Sequence, residues 1–168
     1  NALPDPLLVL DQSDRIRFAN LASEQFFQAS AKVLHVAQQA LPGVAAVQGL
    51  RVLSVQLDGN RPPVVVVGRA LSDPARELPL LQPPLATPPG HIAIHVSEAL
   101  VALYGARPGQ VFALLGSAFP QAPPFFVSGV WRDYARQHGS LVMDLRDLQR
   151  LSGDRRVNDL ALYLQAQA

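Results

Sequence analysis

The chain has 168 residues, 49% of them hydrophobic and 16% charged, with a net charge of +1 at neutral pH. That length suits one domain, or two small packed subdomains, burying roughly two thirds of the unfolded surface. The basic residues, all arginine except Lys32, are interspersed with acids, so no basic stripe meets a phosphate backbone and nucleic acid is not an expected partner. Cysteine is absent, which excludes disulfides, thiolate zinc sites and cysteine nucleophiles while leaving the compartment open. No apolar run approaches the roughly 20 residues of a membrane span, and no signal peptide opens the chain. The expectation is a soluble piece, with any membrane segments of a parent protein lying outside it.

Leu7–Leu10 and Arg15–Phe18, separated by the turn-rich Asp11–Asp14, predict a β-hairpin. Asn20 suits the cap of a helix over 21–28, and a second helical stretch over 31–41 stops at Pro42-Gly43. Strand material fills Val44–Leu57. Asp58-Gly59-Asn60 is a turn signal, and Pro63–Gly68 supplies the partner strand, its four valines predicting burial on both faces. Pro79–Pro89 carries five prolines in eleven residues. Proline fixes φ and removes a donor, so this segment is an extended connector, a surface loop or a lid.

Strands are predicted at His91–Val96, Gln110–Leu115, Phe125–Trp131, Ser140–Met143 and Asn158–Leu164. Ser97 caps a helix that ends at Gly105, and Asp144 caps one that ends at Gly153, with Asp147 completing a capping box. The predicted fold class is α+β: a mixed sheet with packed helices in the first half, and a smaller β-rich subdomain with two short helices in the second. The expected divisions are an α/β subdomain over 1–78, a connector over 79–89, and a β-rich subdomain over 90–168 with helices near 97–104 and 144–151.

The residues offer little chemistry. His91 and His95 are four apart on a predicted strand, about 13 Å along it at roughly 3.3 Å per residue. One metal ion does not bridge that distance, so they read as polar residues on an exposed strand face. Asp133, His138 and Ser140 could compose a triad, but nothing supplies a nucleophile elbow or an oxyanion hole. Asp144, Asp147, Asp154 and Asp159 alternate with Arg146, Arg150, Arg155 and Arg156 as on a solvated helix face. Neither a P-loop nor a dinucleotide fingerprint occurs, so no catalytic residue, metal site or cofactor is expected. The densest polar-aromatic cluster is Trp131, Arg132, Asp133 and Tyr134 with Arg136. It reads either as a contact surface, since Trp, Tyr and Arg dominate interface hot spots, or as a loop whose Trp packs inward while Arg and Asp pair locally.

Several motifs in order carry a family resemblance: Leu-Pro-Gly-Val (41–44), Ile92–Pro108 leading to Gly109-Gln110-Val111, Val127-Ser-Gly-Val130 leading to Arg132-Asp133-Tyr134 and Gly139, the 144–153 helix and the 158–164 strand. From about Ala40 to Leu164 the chain thereby resembles the extracytoplasmic domain of FtsX-like, MacB-type ABC-transporter permeases. That resemblance implies a non-catalytic domain on the periplasmic side of the bacterial inner membrane. Its partners would be the transmembrane helices and ATP-binding subunit of the same transporter, and a periplasmic protein or a lipid or lipoprotein substrate. Residues 1–30, with Ala2–Asp11, Arg15–Asn20 and Ala22–Phe27, instead resemble the start of a PAS sensor domain. That opens three alternatives: a divergent permease-domain N-terminus that mimics PAS, a chimeric or designed chain, or a cytoplasmic ligand-binding and dimerisation module requiring a five-stranded antiparallel sheet with helices on one face.

Overall fold

The computed structural model describes residues 8–10, 16–18 and 44–164. Its strands are β1 (Leu8–Leu10), β2 (Ile16–Phe18), β3 (Val44–Val55), β4 (Val64–Arg69), β5 (Ile92–Ser97), β6 (Phe125–Trp131), β7 (Ser140–Asp144) and β8 (Asp159–Leu164). Its helices are α1 (Pro74–Glu77), α2 (Glu98–Tyr104) and α3 (Leu145–Ser152), with a 3-10 helix at Ala113–Ser117. The chain divides into two compact units, one of Val52–Asp154 and one of the ends, Asn1–Arg51 with Arg155–Ala168.

In the unit of the ends, β1 and β2 form the predicted antiparallel hairpin, with Leu8 opposite Phe18. β3 pairs antiparallel with β8 from Leu50 opposite Asp159 to Val44 opposite Leu164. The helices predicted over 21–28 and 31–41 lie outside the described residues.

The Val52–Asp154 unit contains the sheet order β6-β5-β7-β4-β3. β4 and β7 are parallel, as are β5 and β6, while β5 and β7 run antiparallel. The mixed sheet and helices give the α+β class expected from the sequence. One sheet face carries the main core: Val64 and Val66, Ile92, Ile94 and Val96, Phe125 and Val127, Leu141 and Met143 recur with the period of two that a strand imposes. Leu100 of α2, Leu148 of α3, Phe112 and Leu115 close this core. Val67, Val142 and His95 are buried outside it. Of the four valines in β4, Val65 is half-buried rather than buried.

Local chemistry sets the helix ends. Ser97 Oγ accepts from Leu100 N at the start of α2, and Gly105 ends that helix in the left-handed region at φ 67°. Asp144 caps α3 by accepting from Arg146 N at 2.9 Å, while Asp147 Oδ1 accepts from Arg150 at 2.7 Å. Between β3 and β4, Asn60 N donates to Asp58 Oδ1 at 2.9 Å and Arg61 N to Asp58 O at 3.1 Å, closing the predicted turn.

The strand predicted over Gln110–Leu115 is not one. Val111 makes an isolated bridge to Phe126, and the chain then enters the 3-10 helix. The reason lies at β6, whose outer edge is shared by two segments in succession. Phe112 N donates to Phe125 O and Val127 N to Gln110 O, whereas Leu85 N donates to Ser128 O and Leu81 N to Val130 O. Each segment therefore gains only a short stretch of ladder, and 113–117 turns instead to bury Leu115. Pro79–Pro89, expected to join two subdomains, runs along this edge inside the Val52–Asp154 unit. Its prolines have no amide to donate, so it shields the edge without extending the sheet.

Gly139 precedes β7 at φ +99°, and a Cβ there would stand 2.7 Å from Leu100 Cδ1. Gly105, at φ +67°, has open space around it. Gly139→Ala combines backbone strain with a clash and is expected to cost about 3 kcal/mol. Gly105→Ala carries strain alone and should cost about 1 kcal/mol. Urea midpoints of the two variants against the parent check this difference.

Candidate functional site

The cluster singled out in the sequence sits at the end of β6 and in the 132–139 connection to β7. The structure sorts its members into two groups. Trp131, opposite Ser97 and bridged to Leu80, is half-buried, and its indole Nε1 is buried without a hydrogen-bond partner. Asp133 turns inward, its side chain 3% exposed. Its carboxylate accepts from Ser140 Oγ at 2.5 Å, from Arg136 Nη1 at 2.9 Å and from Ala135 N at 3.0 Å. Burial pushes the Asp133 pKa up, but the Ser140 hydroxyl, Arg136 and the Ala135 amide outweigh it and hold the carboxyl below its ordinary value. Arg132 and Tyr134 face outward, Tyr134 being 86% exposed. The sequence's two readings thus apply to different residues: Trp131, Asp133 and Arg136 pack and pair locally, and Arg132 and Tyr134 are displayed.

The triad does not form. Ser140 is fully buried and its hydroxyl donates to Asp133, while His138 is exposed. A buried hydroxyl committed to a carboxylate cannot attack a substrate from solvent. Of the two histidines, His91 precedes β5, with Nδ1 3.1 Å from Pro89 O and its ring edge-on to Phe126. His95 is buried rather than exposed, on the side of β6 where Leu80 of the Pro79–Pro89 segment also lies against Gly129. Among the described residues no three His, Cys, Asp or Glu side chains gather to hold a metal.

Sequence reasoning missed a shallow groove of about 190 Å³ where α2 ends, lined by Tyr104–Arg107, Gln110–Leu114 and Val127. Val111 and Leu114 are exposed there. Arg61 stacks over the Tyr104 ring at 4.9 Å and donates to Leu103 O, placing a cation at the negative end of α2. The only advance signal was the scarcity of charge from Ala99 to Trp131, where Arg107 is the one charged residue. Glu77 is another perturbed acid among the described residues. Burial raises its pKa, but the Ser72 hydroxyl and the Asp73 and Ser72 amides hold it below the ordinary value. Glu77, His95 and Asp133 sit in separate settings, and no hydrogen bond among them pairs an acid with a base.

No protein-family model matches the chain, and no curated protein matches it. Solved structures share its fold. The periplasmic region of MacB from Actinobacillus actinomycetemcomitans matches with a TM-score of 0.59 at 14% identity, over 92% of this chain and 74% of that one. The chain has the fold of a MacB-type extracytoplasmic domain. The extracellular domain of the noncanonic ABC-type transporter YknZ from Gram-positive bacteria matches with a TM-score of 0.55 at 13% identity, over 82% of this chain and 74% of that one. The expectation drawn from residues 40–164 is met at the level of the fold.

Asp133→Ala leaves the Ser140 hydroxyl and Arg136 without their acceptor and is expected to cost about 2 kcal/mol. Tyr134→Ala, on an exposed ring, should stay within about 0.5 kcal/mol. Because the folded Asp133 pKa is depressed, its contribution is complete above the ordinary value of 3.8 and is lost as pH falls below it. Acid titrations of stability, compared between parent and Asp133→Ala, should differ only in that range.

Proposed function

We propose that this chain is a non-catalytic extracytoplasmic domain of an ABC-transporter permease, on the periplasmic side of the inner membrane. In this reading it couples the transport cycle to engagement of a substrate or a periplasmic partner. The likeness to the MacB periplasmic region over 92% of the chain carries the proposal. The mixed sheet with its parallel β4–β7 and β5–β6 pairs is the fold that this likeness rests on. Among the described residues no helix is long and apolar enough to cross a membrane, so the spans would be supplied by flanking sequence.

The partners in this proposal are the transmembrane helices and ATP-binding subunit of the same transporter, with a periplasmic protein or a lipid or lipoprotein as cargo. Trp131, Arg132, Asp133, Tyr134 and Arg136 form its contact surface, presented through Arg132 and Tyr134 and braced by the other three. The PAS alternative fits less well. A PAS sensor requires an antiparallel sheet, whereas β4 with β7 and β5 with β6 are parallel pairs.

The absence of cysteine gives a direct test. In the full parent protein of intact cells, Tyr134→Cys is expected to react with a membrane-impermeant maleimide added outside, once the outer membrane is opened. Labelling only after the inner membrane is broken places the domain in the cytoplasm and defeats the proposal. The isolated chain is also expected to show no ATP turnover above a buffer blank in a phosphate-release assay.

A further inference from the structure

The segment that covers β6 bears no charge: Leu78–Gly90 reads Leu-Pro-Leu-Leu-Gln-Pro-Pro-Leu-Ala-Thr-Pro-Pro-Gly. Its hold on the sheet edge is slight. Leu81 N donates to Val130 O at 2.9 Å, Leu85 N to Ser128 O at 2.8 Å and Arg132 N to Pro79 O at 3.1 Å, and the Thr87 and Ser128 hydroxyls meet at 2.8 Å. Ser128 is the extra residue of the register shift that sets Ile94 opposite Val127 but His95 opposite Gly129. At Gly129 a Cβ would stand 3.4 Å from His95 Cδ2 and 3.5 Å from Leu80 Cδ2, ordinary contact distances, so the imidazole and the Leu80 side chain flank the same point of β6.

His95 is 2% exposed, and neither ring nitrogen has a hydrogen-bond partner. The Val142 backbone comes near the ring without making a hydrogen bond of normal geometry. Among the described residues no charged side chain hydrogen-bonds its ring. The covering segment and β6 contain no charged residue, and β5 holds only His95 itself, with His91 just before it. β7 offers Asp144, whose carboxylate accepts from the Leu71 and Arg146 amides, and β4 offers Arg69, a like charge. On α1 and its cap, Asp73 pairs with Arg76, while Glu77 Oε1 accepts from Ser72 and Asp73; its Oε2 is buried without a hydrogen-bond partner, and its charge is felt by Arg69.

We propose that His95 makes Pro79–Pro89 a pH-released cover: protonating the imidazole beneath Leu80 places an unpaired charge under an uncharged strap, and the strap lifts from β6. Water then reaches the ring without the β5 ladders breaking, because only the strap's few bonds must open. Lifting exposes Ser128 O, Val130 O and Arg132 N–H at the sheet edge. The direction follows from burial, which disfavours the charged imidazole and pushes the His95 pKa below its ordinary 6.5. The strap is closed above that pH, and opening becomes easier as pH falls below it, by about tenfold per pH unit until the folded pKa is reached.

Amide hydrogen exchange followed by NMR on the whole chain tests this between about pH 5 and 7.5. Protection of the Leu81, Leu85 and Arg132 amides is expected to fall by up to about tenfold per unit below pH 6.5, while β4 and β7 ladder amides keep theirs. His95→Met should remove that slope. Flat protection at the strap, or equal loss at the ladder amides, overturns the proposal. The wild-type His95 ring resonances decide independently of whether His95→Met folds: titration at or above 6.5 overturns it, and a depressed midpoint accompanied by the strap-only slope sustains it.

Discussion

The hydroxyl of Ser97 joins the elements that the rest of the structure is built around. It accepts from Leu100 N at 3.3 Å, capping α2, and from Ser140 N at 2.9 Å, tying down the first residue of β7. Ser140 in turn gives its own hydroxyl to Asp133, which gathers the β6–β7 connection. One buried oxygen thus links the end of β5, the start of α2 and the start of β7. Donors buried at those points would otherwise go unsatisfied, a cost comparable to losing the hydrogen bond itself.

That relay explains why the connection after β6 resembles a site and is a brace. Asp133 is charged, buried and hydrogen-bonded, as catalytic carboxylates often are. Here its lone pairs are consumed by Ser140, Arg136 and Ala135, and Gly139 lets the chain pass close against Leu100. What remains accessible is a display of Arg132 and Tyr134 on a rigid mount. That display is the surface assigned to contact in the function proposed for the domain.

The β6 edge shows a second economy. An uncovered edge strand invites pairing with other chains. Here it is covered by a proline-rich segment too poor in donors to become a strand and by the single bridge at Val111. The cover is held to β6 by a few hydrogen bonds, and both its Leu80 and His95 of β5 lie against Gly129.

Much of the fold was legible in the amino-acid sequence because it is encoded locally. The Ser97 and Asp144 caps, the Gly105 and Gly153 stops, the Asp58–Asn60 turn and the apolar period of β4–β7 each act within a few residues. The polar-aromatic cluster after β6 was visible as a composition, Trp with Arg, Asp and Tyr. Which of its members face solvent was not, since Asp133 is turned inward by Ser140, seven residues on, and Trp131 by neighbours on β5 and the strap. The same holds for His95, whose alternation with Ile94 and Val96 reads as an exposed strand face. Gln110–Leu115, likewise, lost its strand to competition for one edge. Sequence by itself determined most of the elements, their caps and the α+β class. Tertiary structure alone decided strand order, burial of polar groups and the covering of β6, because those depend on partners beyond the reach of one local element.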